Sequence, residues 1–424
     1  LDACLRSLYA EGTLTPDECI VVDDGSTDGS AQVAARYGCT VVRREERMGP
    51  AAARNLGSAE ASGDILIFLD ADVCVHLDAV RRMRDAFQAD PSLDALIGSY
   101  DDEPGHRDFL SQYRNLLHHY VHQTSHREAS TFWSGCGAIR RSVFEEHGGY
   151  DESYARPSIE DIELGSRLRQ AGCRIELLRD IQVKHLKKWS LFGILKTDVR
   201  DRGIPWTELI LRAGKMPNDL NLRISQRVSV LAVALLSLLI AASILQWGGA
   251  FVLPVLALLM LALCTYMVEQ TNTIHGAAAI ALLMVLLTWL DGQDGPPLLI
   301  APLWTTYALQ MLRRQFNLDR PAWPSRAVDA ALFASTAAVL CLAIAALPLH
   351  WTSAALVALM ALLITLNHSF YAFLAAKRGW LFMLAAIPFQ LLFYFYSGFA
   401  FAAGVVLFAW RRISISEHLA EEAR

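Results

Sequence analysis

Three pairs of carboxylates mark the first half of the sequence: Asp23 and Asp24 in VVDDGSTDGS, Asp70 and Asp72 in DILIFLDADV, and Glu160 and Asp161 in SIEDIELGSRLRQAG. The first two pairs arise where an apolar run stops. Acids one residue apart, as at Asp70 and Asp72, supply hard oxygens for Mg²⁺ or Mn²⁺, ions that keep water and bind substrate phosphates. On one strand the two would share a face, because strands alternate their side chains; a turn with two solvated carboxylates is the plainer alternative. Asp23 and Asp24 precede a Gly-Ser turn in which Ser26 or Asp28 suits a helix cap. Capping does not use both acids of the pair, which remain able to accept from the N–H and O–H groups of a base or ribose. Glu160 and Asp161 open an amphipathic stretch, where a helix dipole favours acids. A carboxylate there is equally suited to removing a proton from a hydroxyl. Just upstream, FWSGCGAIRR brings Trp133 and Gly135 into a wall that either lines an acceptor or packs.

The elements that must position these groups can be read from apolar patterning. CIVVDD, CTVVR, DILIFLD and DALIGSY are Val/Ile/Leu-rich runs, separated by the helical stretches AQVAARYG, GPAAARNLGSAEAS and HLDAVRRMRDAFQAD and followed by DFLSQYRNLLHHYVHQ. Strand, turn, helix is the unit of an α/β fold, and near-continuous apolar strands predict a mostly parallel sheet covered on both faces. In such sheets ligands collect beyond the carboxyl ends of the strands, which puts both Asp pairs on one rim. The chain opens without Met, in the helical LDACLRSLYAEG, so a strand ahead of it is expected. His118, His122 and His126 recur at helical spacing with His119 beside them, which suits a polar helix face or contact with an anion; zinc would need further ligands. The eight cysteines are scattered without a C-x-x-C pair, as reduced thiols would be.

The composition, 53% hydrophobic and 19% charged, averages two unlike halves. Residues 1–227 hold 29 basic and 35 acidic side chains, whereas the remainder holds 9 and 8. Uncharged runs near 228–247, 249–268, 274–290, 296–312, 328–348, 352–375 and 381–410 approach or exceed the roughly 17 to 25 residues that cross a bilayer, predicting six or seven spans. Between Lys184 and Arg227 there are 10 basic and 4 acidic residues, which by the positive-inside rule face the cytoplasm. Residues 188–227 mix apolar and basic side chains as an interfacial segment would. No basic run with interleaved aromatics suggests nucleic acid.

Taken in order, DDGSTDGS, AAARNLG, FLDADV, SGCGAIRR, GGYDE and SIEDIELGSRLRQAG resemble the family-2 glycosyltransferases. The resemblance implies an α/β, GT-A-like, nucleotide-sugar-binding domain over residues 1–187, then a basic interfacial linker (188–227), an all-α transmembrane region (228–410) and a polar tail (411–424). It implies donor binding by Asp23, Asp24, Ser26 and Arg54, with Asp70 toward the ribose and Asp72 toward a Mg or Mn ion that His185 also ligates. Asp161 matches the catalytic base, with Glu160, Trp133 and Gly135 on the acceptor side. The implied reaction is a single displacement with inversion and no covalent nucleophile. Where processive relatives carry Gln-x-x-Arg-Trp this chain has DVRDRGIPW, which favours addition of one sugar. The expected partners are a nucleotide-sugar donor, a lipid-linked or other membrane acceptor and membrane lipids. The expected location is the cell membrane, with several passes and the catalytic domain cytoplasmic. A polytopic transporter or assembly scaffold with an inactive nucleotide-sugar domain is the alternative.

Overall fold

The computed structural model describes residues 1–10, 16–214, 216–247 and 351–422. Two compact units emerge, Leu1–Gln226 together with Tyr396–Arg424, and Arg227–Phe395.

In the first unit helices and strands alternate as the patterning predicts. The order is α1 (Asp2–Leu8), β1 (Ile20–Asp24), α2 (Ser30–Arg36), β2 (Thr40–Arg44), α3 (Pro50–Glu60), β3 (Ile65–Leu69), β4 (Val73–Val75), α4 (Ala79–Ala89) and β5 (Ala95–Tyr100). Then follow α5 (Phe109–Thr124), β6 (Cys136–Arg140), α6 (Arg141–Glu146), α7 (Glu160–Gln170) and β7 (Ile175–His185). β1 and β2 pair in parallel as a two-stranded sheet, and five strands form a second sheet in the order β3-β6-β5-β7-β4. The α/β architecture is as expected, but the mostly parallel sheet is instead mixed. β5 runs parallel to β7, while β3 with β6, β6 with β5 and β4 with β7 are antiparallel. A strand buried on both faces has the same apolar composition in either direction, so its sequence does not carry its polarity.

Central β5 is buried at every position, and its alternation splits the core. Leu96 and Tyr100 join Val73, Val80, Met83 and Phe87 on the face covered by α4. Ala95 and Ile97 join Phe132, Phe144, Tyr150, Leu164 and Leu168 on the face covered by α6 and α7. Beyond β7 the chain runs through α8 (Leu191–Leu195), a π-helical turn (Lys196–Gly203) and α9 (Ile204–Ala213).

The second unit contains most of α10 (Ile224–Trp247), with α11 (Trp351–Leu366), α12 (His368–Arg378) and the start of α13 (Trp380–Glu422). Two helices, over Ile224–Ala241 and Trp380–Arg412, are long and apolar enough to cross a membrane. α11 and α12 pass the same test together but meet at 64°, so the run at 352–375 is bent at Asn367 and not straight. Conversely Pro388 does not end α13, and 381–410 lies within one continuous helix. The spans expected near 249–268, 274–290, 296–312 and 328–348 lie outside the described residues.

Candidate active site

β3 ends at Leu69 and β4 begins at Val73, so Asp70, Ala71 and Asp72 form a turn between them and not a strand. The shared face expected for two strand residues therefore does not apply, and the two carboxylates separate. Asp70 Oδ1 accepts from Arg54 Nη2 at 2.9 Å. Asp72 faces β7: the antiparallel register pairs Val73 with His185, and Asp72 Oδ2 lies 3.6 Å from His185 Nε2. The Leu186 amide donates to the Asp72 carbonyl at 2.8 Å and fixes that end of the turn. Burial alone would raise the pKa of Asp72, but the imidazole of His185 draws it below the ordinary carboxylate value. The His185 ring stacks on Tyr100, centroids 4.4 Å apart, which holds its nitrogen toward Asp72.

Arg54, on α3, carries the longest-range tie in the site. Its Nη1 donates to Glu160 Oε1 at 2.9 Å while Nη2 holds Asp70, so one guanidinium joins the β3–β4 turn to the start of α7. The guanidinium also lies over the Tyr150 ring, 5.5 Å from its centroid. Glu160 is 5% exposed, and its second oxygen accepts from the Ser158 amide at 2.9 Å. The acidic first turn of α7 thus satisfies the helix terminus and the arginine together. Asp161 stands one residue further along, half-buried, with Oδ1 accepting from the Ile162 amide at 2.8 Å. Burial, then the neighbouring Glu160 charge, push the Asp161 carboxyl from its ordinary 3.8 up to about 6, against the opposing pull of Arg54 and Arg202.

Close packing sets the position of α7. A Cβ on Gly165 would come 2.0 Å from the Phe132 nitrogen, and one on Gly135 would come 2.6 Å from the Trp133 ring. Both glycines let chain segments touch: α7 against 131–132, and the Trp133 indole against its own strand approach. Trp133 meets Tyr100 edge-on at 4.7 Å and His122 at 5.1 Å. The histidines of α5 are therefore not a polar face. His119 Nδ1 lies 2.7 Å from the Tyr100 carbonyl oxygen, His122 is 8% exposed with burial pulling its pKa to about 4, and His118 lies edge-on to Tyr100 at 5.9 Å. His126 falls beyond the end of α5 at Thr124.

The remaining acids hold backbone. Asp23, 4% exposed, accepts from the Ser26 amide at 2.8 Å, and hydrogen bonding by the Ser26 hydroxyl, then by its amide, with the Arg43 charge as a smaller cause, keeps its pKa low against burial. Asp24 accepts from the amides of Met48 and Gly49, at 2.9 and 2.8 Å, and so ties the end of β1 to the entry of α3. Gly49 has φ +93°, and a Cβ there would lie 2.4 Å from the Ala155 carbonyl oxygen, so this corner needs glycine. Sequence reading missed Asn55, which accepts from the Tyr150 amide and donates to its carbonyl, both at 2.8 Å, and clamps GGYDE to α3. Its place beside Arg54 in AARNLG was the available signal.

Among the described residues no group of three or more His, Cys, Asp or Glu side chains could hold a metal. Asp72 and His185 offer two converging donors from different elements. Such a set suits Mg²⁺ or Mn²⁺, whose remaining positions are ordinarily filled by water and substrate phosphate.

Residues 1–148 match the family model described as glycosyl transferase family 2, a span that contains Asp23 to Gly135 but ends before Glu160 and Asp161. Among curated proteins, the uncharacterized glycosyltransferase YfnE of Bacillus subtilis is 26% identical over 221 residues, covering 40% of this chain and 56% of that protein. The pre-mycofactocin glycosyltransferase of Mycobacterium tuberculosis is 30% identical over 166 residues, covering 37% and 34%. A probable N-acetylgalactosaminyltransferase 6 of Caenorhabditis elegans is 26% identical over 172 residues, covering 35% and 28%. The chain thus spans from about a quarter to just over half of the length of these relatives. Among solved structures, mannosyltransferase PcManGT from Pyrobaculum calidifontis, in complex with GDP-Man and Mn²⁺, is 19% identical with a TM-score of 0.38 and covers 78% of this chain and 80% of that one.

Proposed function

We propose, from the premise that residues 1–148 are a family-2 glycosyltransferase domain, that the protein transfers one sugar from a nucleotide-sugar donor to a hydroxyl of a lipid-linked or other membrane acceptor, with inversion. The observation that carries this reading is the Arg54 fork, which fixes the Asp70–Asp72 turn next to a half-buried Asp161 with a pKa of about 6. A base is most useful when its pKa lies near the working pH.

In this mechanism Asp161 takes the proton from the acceptor hydroxyl as that oxygen bonds to the anomeric carbon. The bond from that carbon to the phosphate oxygen breaks, and its electron pair leaves with the nucleoside diphosphate. Asp72 and His185 would hold a divalent ion, which when bound neutralises charge on the departing diphosphate. Asp23 and Asp70 face the donor; Asp24 and Ser26 shape the turn that receives it. Trp133, held over Gly135, walls the acceptor side. In this reading the protein is a multi-pass membrane protein with its catalytic domain cytoplasmic; two helices long and apolar enough to cross a membrane and the basic residues of 184–227 support it.

The test is donor turnover by membranes carrying the full-length protein and its Asp72→Ala and Asp161→Asn variants. The expected outcome is loss of at least ~10²-fold in each, the scale of a missing general base. Equal turnover in all three overturns the assignment of these residues, and turnover no greater than in membranes lacking the protein favours an inactive domain in a transporter or scaffold.

A further inference from the structure

The largely exposed stretch from Asp151 to Pro157 enters α7 through Ser158, a half-buried residue that the reaction proposed above does not use. Its amide donates to Glu160 Oε2 at 2.9 Å, so that with Arg54 on Oε1 both oxygens of Glu160 are held. Its hydroxyl donates to the Asp201 carbonyl at 2.6 Å, a partner 43 residues further along the chain.

The sequence explains why that carbonyl can take it. In an α-helix the carbonyl of residue 201 would accept from the amide of residue 205, and Pro205, at the start of α9, has none. The chain there forms the π-helical turn Lys196–Gly203, a geometry rare in proteins and frequent at functional sites. Two helices anchor the turn. Asp198, whose side chain is buried, takes the Arg114 guanidinium from α5 and, at 2.6 Å, the Tyr396 hydroxyl from α13. Gly203 packs so closely that a Cβ would lie 2.7 Å from Ala400 Cβ on α13. A fixed turn thus reaches Ser158, and Ser158 reaches Glu160.

Glu160 adjoins Asp161, whose carboxyl is raised first by burial and then by the Glu160 charge. The other titratable groups that act on Asp161 are Arg54 from α3, Arg202 from the same turn, Asp70 from the β3–β4 turn, and Tyr100 and Tyr150. We propose that Ser158 is a positioning residue: by bonding Asp201 it keeps the Glu160 carboxylate fixed beside Asp161, so that the turn Lys196–Gly203 controls the surroundings of Asp161. This rests on the transferase reading above, in which Asp161 is the base.

The experiment uses the full-length protein in detergent with Mn²⁺ and the variants Ser158→Ala, Ser158→Thr, Glu160→Gln and Asp161→Asn, with Ser158→Ala also combined with each of the last two. Ser158→Ala removes one oxygen and leaves the backbone amide, and a thermal melt verifies the fold of each variant. Nucleoside diphosphate release from a panel of UDP- and GDP-sugars, followed across pH, gives the acid limb of kcat/KM. In Ser158→Ala the limb is expected to move to lower pH by roughly half a unit or more, the direction that follows when a like charge is released from beside a carboxyl. Ser158→Thr keeps the hydroxyl and should keep the parental limb. In the Glu160→Gln background Ser158→Ala should move the limb no further. A second readout needs no turnover: the Tm gain that Asp161→Asn gives at pH 7.5 over pH 4 should shrink when Ser158→Ala is also present. A limb that stays in place in folded Ser158→Ala, or that moves equally with and without Glu160, overturns the proposal. If no donor is turned over but the Tm gain still shrinks, the transferase reading falls and the positioning role stands. Turnover with the limb and the Tm gain both unchanged by Ser158→Ala overturns the positioning role alone.

Discussion

Asp161 is the residue on which chemistry and stability pull in opposite directions. Its carboxyl is raised from 3.8 to about 6, first by burial and then by Glu160. As a base it must be ionised, so kcat/KM is expected to fall as pH drops below about 6, with an acid limb that a pH–rate profile reads directly. Glu160→Gln removes the like charge beside it, and the limb should move to lower pH; an unmoved limb would mean that another group sets it. Stability runs the other way. The folded state binds the Asp161 proton more tightly than the unfolded chain, so its contribution is full below pH 3.8 and is lost as pH rises through about 6. Asp161→Asn should therefore stabilise the protein at pH 7.5 by at most ~3 kcal/mol, from the difference between the two pKa values, read as a higher Tm, and leave Tm nearly unchanged at pH 4. Equal melting shifts at the two pH values would contradict the raised pKa.

At the scale of elements, the site depends on how closely α7 approaches the chain before β6. Gly165 is the contact point, since a Cβ would meet the Phe132 nitrogen at 2.0 Å and the Thr131 carbonyl carbon at 2.5 Å. Backbone cannot yield as a side-chain tip can. Gly165→Ala should cost about 1–3 kcal/mol, the usual scale of overpacking. Because α7 also carries Glu160 and Asp161, donor turnover should fall with it. A variant that melts like the parent would show that α7 shifts without strain. Asp24 works at the same scale: by capturing the amides of Met48 and Gly49 it sets where α3, and hence Arg54, begins.

Across the whole molecule, the helices of the second unit are joined by one buried polar cluster as well as by apolar contact. Asn367, 4% exposed at the bend between α11 and α12, accepts from the Tyr394 hydroxyl at 2.5 Å and donates to Ser229 Oγ at 3.2 Å and the Leu363 carbonyl at 2.9 Å. Such hydrogen bonds between apolar helices contribute about 0.6–2 kcal/mol. Asn367→Ala should lower the midpoint of SDS unfolding accordingly, and in a double-mutant cycle with Tyr394→Phe the combined loss should be smaller than the sum of the two single losses, because both remove the same hydrogen bond. If the double variant is the sum of the singles, the two side chains are not coupled.

By itself the sequence determined the strands β1, β2, β3 and β5, the helices between them and the long apolar runs, and which of those strand ends carry acids, because burial periodicity and turn residues are local properties of the chain. It put Asp23 near the end of a strand and Asp161 in the first turn of a helix, as the structure has them. It did not determine strand direction, since β5 and β6 read as equally apolar whichever way they run. Nor did it reveal that Asp70 and Asp72 turn to different partners, that Asp24 is taken up by backbone amides, or that the α5 histidines pack inward. Those outcomes depend on residues far apart in sequence, as Arg54 and Glu160 are, meeting only once the sheet and its covering helices have closed. The pKa of Asp161 belongs with them: the residue type supplies the carboxyl, but burial and the neighbouring charge that raise it exist only in the folded chain.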